Sequence, residues 1–190
     1  MEKNFDLLRM LKEQEELDNE FQKKEGRPRD MTEEGNLVAL QVEIFEATQS
    51  AKKYWNYWKN NCKFDKNDFL EEMSDVLHFF LTFIRLKVNL QDIERKIEAF
   101  KTETFLKALE EDTEDSVFEK RPSLEFSILN LAKFEFTETY VKSISTFNIF
   151  VKFIYITNIF KYLGCTWEEF LEIHYKKYEK NMKERTKEEY

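Results

Sequence analysis

Apolar residues recur at intervals of three and four along most of the chain, the spacing of one face of an α-helix. The pattern predicts five long helices, over 3–22, about 33–59, about 66–89, 144–163, and from Thr166 to near Glu184. Polar stretches, KKEGRPRDMT and NNCKFDKN, separate the first three. Residues 90–122 predict a helix followed by an acidic loop. Residues 123–139 predict a helix whose FEFTETYV end could also form a strand.

The chain carries residues that are suited to begin and end these helices. Thr32 is a candidate N-cap of the second helix. Thr166, with Glu169 three residues later, has the pattern of a capping box before the last helix. Gly164 is suited to the left-handed position that ends the preceding helix.

Glycine and proline are scarce, with 3 and 2 residues among 190. A β-rich chain of this length needs many turns, and turns draw on these two residues. The 19 phenylalanines supply a bulky core, and the chain is long enough to bury one. We therefore expect an all-α fold, a helical bundle.

The net charge of −8 argues against nucleic-acid binding, because contacts with a phosphate backbone require a basic surface. A single nucleotide still fits, since a metal ion can bridge carboxylates to phosphates. The most membrane-like stretch, 144–163, contains Lys152 and Lys161, which favours a buried helix over a membrane span. Cys62 and Cys165 form no CxxC pair, and no signal peptide is recognisable. We expect a cytoplasmic protein with reduced thiols.

Two pairs of acidic residues border apolar stripes on consecutive predicted helices. Glu43 and Glu46 are three residues apart on the second helix, and Glu72 and Asp75 are three apart on the third. Residues at this spacing share one helix face. If the helices pack through their stripes, four carboxylates converge, and two like charges about 4 Å apart repel by about 4 kcal/mol. Such a cluster requires protons or cations, and oxygen ligands select Mg²⁺ or Mn²⁺.

These acids also carry a resemblance to a known family. E-x-x-E, 25 residues, then E-x-x-D resembles the signature of the all-α NTP pyrophosphatase superfamily. Within it the chain is similar to the dimeric dUTPases, especially phage-type members, in four blocks: LLRMLKEQEELD, VEIFEATQSAKKYWNYW, EEMSDVLHFF and GCTWEEFLEIHYKKYEKNMKER. The resemblance covers residues 5–85 and 163–190. It implies one all-α domain over 1–190 with a lineage-specific insert at about 90–145.

The resemblance implies a Mg²⁺-dependent enzyme that hydrolyses dUTP to dUMP and pyrophosphate, with attack on the β-phosphorus and cleavage of dUDP as well. The implied metal ligands are Glu43, Glu46, Glu72 and Asp75. One of the two glutamates Glu43 and Glu46 is the implied catalytic residue that orients a metal-activated water. The family forms homodimers, and the helix at 66–89, apolar nearly all round, favours the same state here. A phage-encoded chain would act in the host cytoplasm.

The resemblance also implies residues that bind the base. Gln14 matches a first-helix residue that reads uracil. His78 and Phe79 match a pair that lines the base pocket. By composition alone, these last two are ordinary core residues.

Contacts with the rest of the nucleotide are implied by two further stretches. Lys177, Asn181 and Arg185 lie four residues apart on one face of the last helix, where the family places groups that meet phosphates. The stretch KKYWNYWKN suggests Trp58 against the nucleotide and Lys59 against phosphate. Its order differs from the family pattern, which leaves Trp55, Tyr57 and Lys53 open as alternatives.

Two other functions fit the sequence. One is a MazG-like pyrophosphatase with another base preference, since acid pairs alone do not specify uracil. The other is a helical protein-interaction module on the same scaffold, because the acidic, aromatic insert at about 90–145 could dock a protein partner.

Overall fold

A computed structural model of the chain describes residues 6–23, 30–87, 123–132 and 146–185. All regular elements in these ranges are helices, so the all-α prediction is confirmed. They are α1 (Leu7–Lys23), α2 (Glu33–Ser50), α3 (Lys52–Trp55), α4 (Lys66–Lys87), α5 (Leu124–Ala132), α6 (Thr146–Leu163), α7 (Trp167–Lys180) and a π-helix (Asn181–Arg185). The helix and loop predicted over 90–122 and the FEFTETYV segment lie outside the described residues.

The chain divides into two compact units. The first comprises Met1–Leu86 and Cys165–Tyr190, and the second comprises Lys87–Gly164. Every residue that the sequence predicts for the site belongs to the first unit. A single domain with an insert at about 90–145 stays a prediction.

The first unit is built around α4. Its central run VLHFFLTFI (76–84) is buried except at Phe79, which is half-buried. Side-chain hydrogen bonds join this helix to its neighbours: Gln14–His78 to α1, Asn36–Phe79 to α2 and Ser74–His174 to α7. A helix that is apolar on all sides requires such neighbours around it. The polar side chains of Ser74, His78 and Thr82 on α4 are accordingly buried.

The second helix ends at Ser50 and not near residue 59, so the predicted boundary is wrong. The hydroxyl of Ser50 donates to the backbone oxygen of Ala47 at 2.8 Å. The indole N–H of Trp55 donates to the backbone oxygen of Thr48 at 2.7 Å. The bond from Trp55 satisfies a carbonyl group in the last turn of α2, where helical partners run out, so the chain can leave the α2 axis here.

The predicted caps are confirmed. The hydroxyl oxygen of Thr32 accepts the backbone N–H of Gly35 at 3.0 Å. Thr166 accepts the backbone N–H of Glu169 at 3.2 Å, and the Glu169 carboxylate accepts the backbone N–H of Thr166 at 3.0 Å. Gly164 has φ = 69°, a left-handed conformation that glycine adopts without strain.

The second unit is described over α5 and α6. Lys152 of α6 is buried, and its ammonium group donates to the backbone oxygens of Asn130 and, at 3.1 Å, Leu131. These oxygens belong to the last turn of α5, where carbonyl groups lack helical partners. None of the described helices combines the length and apolar character that crossing a membrane requires.

Candidate active site

Three of the predicted carboxylates come together between α2 and α4. Glu43, Glu46 and Glu72 each offer one carboxylate oxygen, and the three oxygens lie within 4.8 Å of one another. Glu46 is exposed, whereas Glu43 and Glu72 are half-buried. The spacing of three residues aims both α2 acids in one direction, toward the acid on α4.

The fourth predicted acid, Asp75, binds a lysine. The ammonium group of Lys177, on α7, forms an ion pair with Asp75 and donates to the backbone oxygen of Glu71 at 3.2 Å. Both partners are largely shielded from water, with 18% and 25% of the Lys177 and Asp75 side chains exposed. One ammonium group therefore stands beside four carboxylates, which leaves the region strongly negative.

The pKa values reflect this excess of negative charge. Burial, and then the charges of Asp75, Glu46 and Glu72, raise the pKa of Glu43 from 4.5 to about 7, against the opposing effect of Lys177. Burial and the charge of Asp75 also raise the pKa of Glu72. The fold holds these acids close at an electrostatic cost that an added cation would relieve.

The chemistry of the donors tests which cation fits. The cluster of Glu43, Glu46 and Glu72 offers carboxylate oxygens from two helices and neither sulfur nor imidazole. Hard divalent cations such as Mg²⁺ and Mn²⁺ prefer oxygen ligands, and Mg²⁺ commonly keeps several waters besides one or two carboxylates. The cluster fits such an ion.

A second group of polar side chains is buried beside α4, and we call it the Asp18 network: Arg85, Asp18, Thr82, Gln14 and His78. Arg85 donates to Oδ2 of Asp18 from Nε at 3.0 Å and from Nη2 at 2.8 Å. The amide nitrogen of Gln14 lies 2.7 Å from Asp18 and 3.1 Å from Thr82. Thr82 also donates to Asp18 at 3.0 Å. The amide oxygen of Gln14 lies 2.7 Å from Nδ1 of His78.

The network ends at His78, next to the other histidine of the chain. The imidazole rings of His78 and His174 have centroids 4.5 Å apart, and Nδ1 of His174 lies 3.0 Å from the hydroxyl of Ser74. Burial lowers the pKa of His78 well below 6.5 and that of His174 to about 3. Both rings are therefore neutral at physiological pH. Nε2 of His78 is buried without a hydrogen-bond partner among the described residues.

The remaining predicted residues lie in different settings. Trp58 is exposed in the connection after α3, where its ring contacts are with Trp55 and Tyr57, and the neighbouring Lys59 is exposed too. Asn181 is buried at the start of the π-helix. Of the predicted site residues, the structure brings five together at the acidic site: Glu43, Glu46, Glu72, Asp75 and Lys177. The Arg185 side chain lies outside the described residues.

Sequence reasoning missed several residues of this region. Asp18 and Thr82 accept the hydrogen bonds of the Gln14 amide, Arg85 binds Asp18, and the ring of His174 lies next to that of His78. One signal was available, because Thr82 interrupts an apolar run. Asn36 was missed too: it is buried on α2, and its amide donates to the backbone oxygen of Phe79 at 3.0 Å.

The fold and the acidic cluster together define a class of protein: an all-α protein with a carboxylate site suited to a divalent cation. A comparison with protein families then finds a match over residues 6–190 to the family described as dUTPase. The match spans nearly the whole chain, so the chain belongs to the dUTPase family, in its all-α type. Its enzyme activity is that of a dUTP diphosphatase. A search of curated proteins finds no match.

Proposed function

We propose that this dUTPase is Mg²⁺-dependent and that Glu43, Glu46, Glu72 and Asp75 form its metal and catalytic centre. The observation that supports this most strongly is the convergence of three carboxylate oxygens within 4.8 Å. Like charges at such distances stay together when a cation bridges them. These carboxylates would hold Mg²⁺, which when bound would supply positive charge to the triphosphate and acidify a water.

Within this centre, the chain's own residues position and deprotonate the attacking water. Glu43 is half-buried on the face of α2 that meets α4, so its carboxylate is held where it can orient a water. Glu46 is on the same face of α2, so one of these two carboxylates can accept the water proton. The water oxygen bonds to the β-phosphorus, the bond from that phosphorus to the α–β bridging oxygen breaks, and the oxygen leaves with dUMP while pyrophosphate forms.

The base is proposed to bind near Gln14, His78 and Phe79. Gln14 and His78 are hydrogen-bonded to each other at 2.7 Å, and Phe79 follows His78 on α4. Asp75 lies one helical turn before His78, so the metal centre and these residues share one region of α4. A base held there would place its triphosphate within reach of the acids.

The phosphates are proposed to meet Lys177, Asn181 and Arg185, with Trp58 and Lys59 as contacts from the loop after α3. Lys177 is the best supported, because its ammonium group already lies on Asp75. Asn181 begins a π-helix, an element that recurs at functional sites, and its Oδ1 is buried without a partner among the described residues.

We also propose a homodimer, which a stripe of exposed apolar side chains on α2 supports. Val38, Val42 and Phe45 share a helix face and are 63%, 47% and 57% exposed. A second copy of the chain is the proposed partner for this face. Light scattering should give twice the chain's 23.2 kDa. Val38→Glu should halve that mass, while Leu129→Glu, an equally exposed site in the second unit, should not; one-chain mass for the unchanged protein would contradict the dimer.

Three further expectations stay predictions: a phage-type origin, a location in the cytoplasm, and a protein partner for the segment at about 90–145. Deleting residues 92–140 and comparing captured partners tests the last of these.

The direct test of the proposed function is pyrophosphate release from dUTP with and without Mg²⁺. We expect release with Mg²⁺, restoration by Mn²⁺ after chelation, and weaker turnover of the other deoxynucleoside triphosphates. No release with either ion would contradict the proposal. Preference for another base would favour the MazG-like alternative.

A further inference from the structure

The Asp18 network has a fixed direction because it begins at a group that can only accept hydrogen bonds. Two N–H groups of Arg85 bind Oδ2 of Asp18 at 3.0 and 2.8 Å. The guanidinium group is always charged, so it holds Asp18 as a carboxylate anion. An anion has no hydrogen to donate. Any polar group that faces Asp18 must therefore donate to it.

The donor and acceptor roles fixed at Asp18 also fix those of Gln14 and then of His78. The amide nitrogen of Gln14 uses its two hydrogens on Asp18, at 2.7 Å, and on Thr82, at 3.1 Å. The amide oxygen is thereby turned toward Nδ1 of His78, 2.7 Å away. Because an oxygen without hydrogen faces it, Nδ1 must carry the hydrogen. A neutral imidazole has one N–H, so Nε2 of His78 is an acceptor.

The atoms of Gln14 and His78 that can still form a hydrogen bond are therefore both acceptors. Oε1 of Gln14 keeps one lone pair. His78 is 6% exposed, and its Nε2 is buried without a hydrogen-bond partner among the described residues. A buried acceptor without a partner favours a ligand that brings a donor. The same atoms repel a ligand that presents another lone pair.

We propose that Asp18 is a positioning residue for base selection, which acts through Gln14 and His78 to present acceptors to N3 of the base. The inference rests on the proposed function, in which Gln14 and His78 face the base. Uracil has a hydrogen on N3, whereas N3 of cytosine carries a lone pair and sits beside an amino group. A pocket of acceptors at this position binds the former and rejects the latter. Asp18 thereby favours dUTP over dCTP.

The test replaces Asp18 with a side chain of the same shape that no longer fixes the direction. In Asp18→Asn the amide can donate or accept, so Gln14 can turn and offer its NH₂ group to His78. We expect the ratio of kcat/KM for dUTP to that for dCTP to fall at least about tenfold, since a site that pairs the correct hydrogen bonds discriminates strongly.

Two control variants separate positioning from a merely structural role. Glu20→Gln makes the same chemical change at an exposed site of α1, where Glu20 pairs with Lys23 at 2.6 Å. Thr82→Val removes one acceptor for Gln14 but leaves Asp18 to fix the amide. Both should keep the dUTP to dCTP ratio within about twofold. A structural role would alter turnover of both nucleotides in proportion and leave the ratio of Asp18→Asn unchanged.

Imidazole NMR supplies a readout that needs no turnover. The chain has only 2 histidines, so long-range ¹H–¹⁵N spectra resolve each tautomer. We expect His78 with its hydrogen on Nδ1 in the unchanged protein and in Glu20→Gln, and a shift toward Nε2–H in Asp18→Asn. An Nε2–H form in the unchanged protein, or an unaltered substrate ratio in folded Asp18→Asn, would overturn the inference. Absence of dUTP turnover by the unchanged protein would instead overturn the proposed function. If Asp18→Asn does not fold, the tautomer of the unchanged protein decides.

Discussion

The acidic cluster and the Asp18 network lie at neighbouring turns of α4 but differ in how well their charges are balanced. Lys177 balances Asp75 beside the cluster but none of the cluster's own three carboxylates, and burial together with the neighbouring acids raises the pKa of Glu43 to about 7. In the network, Arg85 balances Asp18 one to one, and nearly every donor and acceptor is paired. The acidic cluster lacks positive charge, which a bound cation would supply. The Asp18 network lacks a single hydrogen-bond donor. One helix thus offers one place for a cation and one for a base.

The largest expected effect is on turnover, when an acid of the cluster loses its charge. Glu46→Gln and Asp75→Asn should each lower kcat/KM for dUTP at least about a hundredfold while the fold is kept. The reason is that each removes a carboxylate that would hold the metal ion or the attacking water. Steady-state pyrophosphate release measures this, with circular dichroism to check the fold.

Glu34→Gln is the matched control, because Glu34 is an exposed acid in the first turn of the same helix. It should turn over dUTP like the unchanged protein. Nearly unchanged rates for both Glu46→Gln and Asp75→Asn would remove these residues from the site.

The next effect concerns stability and belongs to the network. Arg85→Gln leaves the Asp18 carboxylate buried without its counter-charge, so it should lower the free energy of unfolding by about 3 kcal/mol. Urea denaturation measures the change. Lys176→Gln breaks an exposed pair with Glu172 and should cost less than about 1 kcal/mol. Equal, small losses for both variants would mean that Asp18 is well solvated.

A smaller effect links pH and metal in the cluster. The pKa of Glu43 is about 7 in the folded chain against an ordinary 4.5, so the folded chain holds more protons between these values. Stability without a metal should therefore fall as the pH rises from about 4.5 to about 7. Mg²⁺ binds the deprotonated acids, so it should raise the melting temperature more at pH 7.5 than at pH 5.

Glu43→Gln is the comparison for this pH effect. It should flatten both the pH dependence and the Mg²⁺ effect, as followed by thermal melts. Parallel curves for the two proteins would contradict the role of Glu43.

The sequence predicts the fold well because apolar spacing and caps are local signals. Thr166 and Glu169 specify the start of the last helix by themselves, and the scarcity of glycine and proline excludes a β-rich chain. The end of α2 was missed because it depends on Trp55 reaching back to Thr48. A pattern of apolar positions contains no information on such a bond.

The same reasoning explains which parts of the site were predictable. Glu43 and Glu46 are recognisable because their spacing aligns them, and Glu72 repeats the pattern on the next long helix. Asp18 is also close to Gln14 along the chain, four residues after it. Its importance, however, depends on Thr82 and Arg85, which follow more than 60 residues later. Residues that act through partners on another helix become visible when the helices are packed.

The most direct test of the central claim is a crystal structure with Mn²⁺ and a non-hydrolysable dUTP analogue, with anomalous scattering used to locate the ion. We predict an anomalous peak among the carboxylates of Glu43, Glu46 and Glu72, with oxygens of the triphosphate on its other side. Ordered carboxylates without a peak between them, beside a bound nucleotide, would contradict the account.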